Sequence, residues 1–172
     1  DDVDTLRELG RLQRRRGLSE EAIKAMTHLT EVRPADAGAR LELLNLLLSL
    51  NPPRFAEANR QFRAGEREGL ATDPMLLMAR AQMEQLRGRM QDGLPFARRA
   101  IERSDAADSN LTPQQKRELL QAYLNLLTAA EAYDELLQAT QAHVADPQTA
   151  PWWILRARGQ ALARLNRRDE SV

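Results

Sequence analysis

The sequence predicts an all-α protein, a right-handed α-solenoid of stacked antiparallel helical hairpins. Apolar residues recur at the spacing of amphipathic helices along most of the chain. Turn-forming residues near Gly17, Asn51, Gly88 and Ala130 divide those helices into pairs. A single pair cannot bury its apolar face alone, so the pairs must stack on one another. The length of the chain suits about four and a half such hairpins.

The clearest hairpin is the segment from Leu6 to Pro34. Its pattern is Leu6-x-x-Leu9-Gly10-x-x-Gln13, then Gly17, then Ala22-x-x-x-Met26-x-x-Leu29, and finally Pro34. Gly10 and Ala22 are small enough for two helices to approach closely where they cross. We expect the larger side chains of the pattern to fill the space around that crossing, namely Leu6, Leu9, Met26 and Leu29.

This segment resembles one tetratricopeptide repeat (TPR), a pattern of about 34 residues. Leu6 takes the place of the usual tryptophan, and Gln13 takes the place of the usual tyrosine. The other hairpins resemble the repeat through their apolar spacing, turns and prolines. The resemblance implies that the first helix of each hairpin lines a concave surface, here called the groove, where the partners of such arrays usually bind. Sel1-like repeats and RNA-binding pentatricopeptide repeats share the architecture and are the alternative families.

The predicted hairpins form a single array. Their approximate ranges are 2–34, 36–70, 73–104, 112–147 and 149–172. Ser19 is the predicted N-cap of the second helix, and Asp73 followed by Pro74 is the predicted start of the third hairpin. Thr112 begins a capping box before the fourth hairpin. Pro95 lies in the second helix of the third hairpin, where we expect a kink or a late start of the helix.

The fifth hairpin contains a first helix and only the first residues of a second helix, from Arg168 to Val172. Helical arrays usually end in a polar capping segment, so we expect this chain to be part of a longer protein. Trp152 and Trp153 lie in the same hairpin. We expect at least one of them to pack against the fourth hairpin; the alternative is a contact with missing sequence or with a partner.

Aligning the hairpins on the Leu-Gly pair of the first one identifies a column of groove positions, here called the central column. It takes one residue from each first helix: Arg11, Asn45, Gln82, Asn125 and Gln160. Four of the five are primary amides, which both donate and accept hydrogen bonds. Such a column suits the main-chain groups of an extended peptide and is similar to the asparagine ladder of some TPR proteins. The alternative is an ordinary solvated face.

Positions four residues earlier and three residues later on each helix flank the central column. The predicted flanking residues are Arg7, Leu41, Met78, Gln121 and Arg156 on one side, and Arg14, Leu48, Gln85, Thr128 and Ala163 on the other. Arg7, Arg11 and Arg14 form a basic stripe at one end, whereas the middle is apolar. This arrangement predicts a peptide partner with an apolar centre and acidic ends. The lysine and asparagine pattern of the carboxylate clamp in some chaperone-binding TPR proteins is not reproduced, so we do not predict that ligand.

The composition weighs against several classes of function. The formal net charge is zero, so no basic field attracts nucleic acid, and we expect no nucleic-acid partner. Cysteine is absent, which removes disulfides, thiol catalysis and cysteine metal sites. The most apolar stretch, Leu41 to Leu50, is interrupted by polar residues and is shorter than the roughly 20 residues of a membrane span. We expect no direct insertion into a membrane. Both the bacterial cytoplasm and the periplasm are compatible with the composition.

The sequence offers little for catalysis. His28 and His143 are the only histidines, and we place both on second helices several hairpins apart, with His143 in a packing role. They cannot share a metal or a catalytic triad at that distance. No phosphate-binding or dinucleotide-binding glycine motif occurs. We expect no enzyme activity, no metal and no cofactor.

Three functions are compatible with these observations. The favoured one is a non-catalytic scaffold that binds a protein or an extended peptide in its groove, within a bacterial secretion or assembly component. An RNA-binding helical array is the second, although the zero net charge and the absence of aromatic residues in the middle of the groove count against it. The third is a passive spacer that positions another domain.

Overall fold

The computed structural model describes residues 2–141, 143–144 and 150–165. These residues form nine α-helices and no strand. The helices are α1 (Val3–Arg15), α2 (Ser19–Val32), α3 (Ala37–Ser49), α4 (Phe55–Arg67), α5 (Pro74–Leu86), α6 (Met90–Asp105), α7 (Pro113–Ala129), α8 (Tyr133–Gln141) and α9 (Trp152–Arg164). The predicted all-α architecture is therefore confirmed.

The helices pair into hairpins, and the hairpins stack. Each second helix packs on the first helix of the next hairpin, so that α2 contacts α3, α4 contacts α5, α6 contacts α7 and α8 contacts α9. The first helices also form a layer in which α3 packs on α5, α5 on α7 and α7 on α9. This pattern of nearest-neighbour contacts defines an α-solenoid.

The start of α2 differs from the prediction by one residue. Gly17 has a left-handed φ of 75°, a conformation that glycine adopts at little cost. The amide of Leu18 then donates back to the Gln13 carbonyl, and the Leu18 carbonyl accepts from Ala22. Leu18 is therefore the N-cap, and Ser19 is already the first helical residue without a side-chain capping bond. The predicted capping role of Ser19 is wrong.

The predicted starts of α5 and α7 agree with the structure. The Asp73 carboxylate accepts from the Leu76 amide at 2.9 Å, with Pro74 in the first helical turn of α5. Thr112 forms the predicted capping box at the start of α7. The second helix of the third hairpin begins at Met90 and continues through Pro95 to Asp105, so the expectation of a late start is wrong. The predicted segments 145–149 and 166–172 lie outside the described residues.

The core extends from α2 to α9 in two clusters of buried side chains that meet at α5. Leu76 and Met83 of α5 belong to the first cluster, whereas Leu77 and Ala81 belong to the second. Burying both faces of α5 joins the two ends of the array.

The crossing of α1 and α2 forms largely as predicted. A Cβ atom on Gly10 would lie 2.8 Å from the Met26 sulfur, and Met26 and Leu29 are fully buried. Leu9, however, is exposed, so the expectation that it fills the space around the crossing is wrong. No helix among the described residues is long and apolar enough to cross a membrane.

Ion pairs connect neighbouring hairpins at distances of about one repeat along the chain. Arg98 of α6 donates two hydrogen bonds of 2.6 Å to the Glu135 carboxylate of α8, 37 residues later. The Tyr123 hydroxyl of α7 donates to the same carboxylate at 2.5 Å. The Arg98 guanidinium lowers the pKa of Glu135, whereas burial and the neighbouring carboxylate raise the pKa of Tyr123. Arg54 and Glu20 form a similar pair, 34 residues apart.

Candidate functional site

The central column is exposed along its whole length. The structure places Arg11 on α1, Asn45 on α3, Gln82 on α5, Asn125 on α7 and Gln160 on α9, and every one of these side chains is exposed. Within the described part of the chain, none of the four amides makes a hydrogen bond. By contrast Gln91, an amide outside the central column, donates to the Ala130 carbonyl. The amides of the central column therefore have their hydrogen-bonding groups available to a partner.

The flanking positions divide into two groups. Leu48 and Met78 are only 8% and 4% exposed and belong to the two core clusters. Leu41 is half-buried against the first cluster. The apolar side chains that were expected to line the middle of the groove are therefore largely packed inside the protein. The reason is that α3 and α5 have helices on both sides, and apolar side chains at the edges of their groove face turn into those contacts. Gln85 is half-buried.

The basic stripe on α1 is balanced by carboxylates of its own chain. Arg7 pairs with Asp36, which also caps α3. Arg11 pairs with Glu42 at 2.7 Å and with Glu8 at 3.1 Å, and the Glu42 carboxylate raises the pKa of Arg11.

Two of the three arginines expected to hold an acidic partner are thus occupied. Arg14 is exposed, and within the described residues it has no ion pair. The sequence interpretation missed Asp36 and Glu42 as partners. They lie 29 and 31 residues after Arg7 and Arg11, so comparing charges about one repeat apart would have found them.

At the other end of the groove, the structure forms a depression between α7 and α9, here called the α7–α9 depression. Its volume is about 340 Å³, and its lining residues are Gln121, Leu124, Asn125, Thr128, Trp152, Trp153, Arg156, Ala157 and Gln160. Five of the predicted central and flanking residues therefore come together here: Gln121, Asn125 and Thr128 from α7, and Arg156 and Gln160 from α9. Gln121 and Asn125 lie one turn apart on α7, and Arg156 and Gln160 lie one turn apart on α9.

The apolar part of the α7–α9 depression was not predicted as a site. Leu124 is buried and lies in the second core cluster, and Trp153 packs partly against the same cluster, as expected for one of the two tryptophans. Trp152 begins α9 and is 69% exposed. Contiguous exposed apolar surface is typical of interaction sites, and Trp152 adds exposed apolar surface beside Trp153. The signal in the sequence was the pair of tryptophans at a helix start.

The described histidines do not form a catalytic site. His28 lies on α2, as predicted, with its Nδ1 3.7 Å from a carboxylate oxygen of Glu31. His143 lies in a turn after the last residue of α8 and is exposed. Its predicted packing role on a second helix is wrong because α8 ends at Gln141, two residues earlier. Within the described ranges, no three residues of metal-binding type come together.

Comparison with known proteins identifies the fold. No family model matches the sequence, and no curated protein sequence matches it. The structure is similar to the crystal structure of MamA protein, with a TM-score of 0.68 and 14% identity over 98% of this chain and 85% of that one. It is also similar to YrrB, a TPR protein with an unusual peptide-binding site, with a TM-score of 0.65 and 17% identity over 99% and 81% of the two chains. A second MamA structure gives a TM-score of 0.67 at 14% identity. The described helices and these similarities together show that the chain folds as a TPR-like array.

Proposed function

We propose that this chain is a non-catalytic scaffold that binds a protein through an extended peptide lying in the groove of the first helices. The TPR-like fold supports an interaction role, since a stack of hairpins presents one continuous surface built from successive first helices. The similar structure of YrrB is that of a peptide-binding protein. The same proposal places this scaffold within a bacterial secretion or assembly system.

One observation carries the proposal: the central column presents four amides in line, each exposed and unbonded within the described chain. An extended peptide offers main-chain N–H and C=O groups at regular intervals whatever its side chains are. An amide side chain matches either group, so the column can bind a peptide backbone without requiring one sequence.

The test compares two triple variants. Replacing Asn45, Gln82 and Asn125 with alanine removes three amides from the central column. The matched control replaces exposed amides away from the groove, Asn110, Gln138 and Gln141. Both variants are assayed against peptides selected by the wild-type chain from a displayed library of random 12-residue peptides. Each amide contact contributes about 0.5 to 1.5 kcal/mol, so the first variant should bind at least about tenfold more weakly, and the control should bind normally.

The position of the bound peptide is measured by hydrogen exchange. Protection should appear on the first helices α3, α5 and α7. Protection of α2 and α4 around residues 22–26 and 58–62, together with normal binding by both variants, would show that the groove is not the binding surface. Binding of single-stranded RNA in place of any peptide would refute the scaffold proposal and support the alternative of an RNA-binding array.

A further inference from the structure

We propose that the α7–α9 depression is the anchoring site of the groove and that it selects peptides in which a bulky apolar residue and an acidic residue are separated by one residue. This inference rests on the proposed peptide-binding function and names the class of peptide that the groove selects. The apolar side chain would contact Trp152, and the acidic side chain would pair with Arg156.

The exposure of Trp152 supports the apolar half of this site. Its indole is the most exposed large apolar side chain among the described residues, at 69%. Trp153, Leu124 and Ala157 line the same depression, so a side chain entering it meets apolar groups from both helices. Aromatic anchors that fill such depressions carry much of the binding energy at protein interfaces.

The charge of the depression supports the acidic half. Among the residues that the structure describes, Arg156 is the only charged one in its lining, and none of the described carboxylates lines it. Arg156 is exposed and makes no ion pair with another described residue, whereas Arg7 and Arg11 at the opposite end are already paired. The guanidinium group of Arg156 is thus available to bind a carboxylate, which it can hold with two parallel hydrogen bonds.

The distance between the two halves sets the spacing of the motif. Trp152 and Arg156 are four residues apart on α9, which corresponds to about 6 Å along the helix axis. In an extended peptide, side chains two residues apart lie on the same face and are separated by about 6.6 Å. A peptide segment that lies along α9 at this end of the groove would therefore match both groups with one residue in between. Gln121 and Asn125 line the α7 side of the depression, where they can bond the peptide backbone.

The two tryptophans of the chain both line this depression, so intrinsic tryptophan fluorescence reports on its occupation. The probe is an acetylated and amidated peptide, Gly-Ser-Phe-Ser-Glu-Ser-Gly, with the reversed order Gly-Ser-Glu-Ser-Phe-Ser-Gly as the second probe. We expect a saturable fluorescence change with at least one order. Replacing Phe with Ala should weaken binding roughly tenfold or more. Replacing Glu with Gln, or placing Glu next to Phe, should weaken it about threefold to tenfold.

Variants of the chain connect the effect to the two proposed groups. Trp152→Ala should weaken binding of the peptide that contains Phe. Leu86→Ala is the control because Leu86 is an exposed apolar residue on α5. Arg156→Gln should lose the discrimination between Glu and Gln and flatten the dependence of binding on salt. Arg164→Gln is the control, since Arg164 is an exposed arginine of α9 outside the depression.

Selection from the random 12-residue library separates this inference from the proposed function. Enrichment of the spaced motif on the wild-type chain, and its loss on Arg156→Gln, would support the anchoring site. Library binders that lack the motif and leave the tryptophan fluorescence unchanged would overturn the anchoring site while the peptide scaffold stands. Binding of indole-3-acetate as tight as that of the peptides would overturn the anchoring site alone. A library without any binder would overturn both the anchoring site and the scaffold.

Discussion

Gly93 lies where α6 approaches the backbone of α5, and its replacement by alanine tests how closely the two helices pack. A Cβ atom at this position would lie 2.9 Å from the carbonyl oxygen of Ala81 and 3.5 Å from its Cα atom. Contact of a Cβ atom with other atoms is normally 3.4 Å or longer. Because the obstructing atom belongs to the backbone, no side-chain rotation relieves the overlap, and the helices must shift.

Two opposing effects set the magnitude. Alanine favours the helix over glycine by about 1 kcal/mol, whereas forcing an extra methyl group into a packed crossing costs typically 1 to 3 kcal/mol. The net expectation for Gly93→Ala is a loss of about 1 kcal/mol in the free energy of unfolding. Gly159→Ala is the matched control, since Gly159 lies inside α9 with no described atom within 4 Å of its would-be Cβ. There the helix preference acts alone, and we expect a gain of roughly 0.5 to 1 kcal/mol.

The assay is thermal and urea unfolding followed by circular dichroism at the helical band. For a chain of this length, each kcal/mol shifts Tm by about 2 to 4 °C, so the two variants should move in opposite directions by a measurable amount. A Tm for Gly93→Ala that rises as much as that of Gly159→Ala would show that α5 and α6 do not approach as closely as described.

Two further predictions concern the fourth hairpin. The Arg98 guanidinium lowers the pKa of Glu135, so this carboxylate stabilises the fold at neutral pH, and the contribution is lost as pH falls below about 4.3 and through the lower pKa of the folded state. Urea unfolding should show Glu135→Gln less stable than the wild type at pH 7, with a smaller difference at pH 3; an equal difference at both pH values would contradict the ion pair. Thr112→Ala removes the side-chain cap of α7 and should cost about 1 kcal/mol, whereas Thr72→Ala, an exposed threonine in the turn before α5, should change stability little. Equal effects of the two threonine variants would mean that the cap contributes nothing.

The helix starts that depend on adjacent residues were predictable from the sequence. Asp73 and Thr112 each cap a helix through a bond to an amide three residues later, and a pattern of that length is read directly from the chain. Ser19 shows the limit of this approach. Ser is a good capping residue, but the turn at Gly17 had already fixed the start of α2 at the preceding residue.

The exposure of the central column was predictable because one register, taken from the first hairpin, applies to every first helix. The burial of the flanking positions was less predictable. Positions three or four residues away are rotated by about 40 to 60° around the helix, so they lie at the edge of the groove face and turn toward solvent or core according to their side chain. Gln121 and Arg156 became exposed, whereas Leu48 and Met78 became buried. The position of Trp152 relative to the neighbouring hairpins depends on how the hairpins stack, and a local sequence pattern does not specify this stacking.

The ion pairs between neighbouring hairpins use different positions in different pairs of hairpins. Arg11 and Glu42, Arg54 and Glu20, and Arg98 and Glu135 each place one partner on one hairpin and the other on the next. The hairpins are thus not interchangeable modules. Removing the second hairpin by genetic deletion would take away the Glu42 partner and leave Arg11 with Glu8 of its own helix as its ion-pair partner. Shuffling the repeats of this protein would therefore redistribute charge along the exposed face of its first helices without a single substitution.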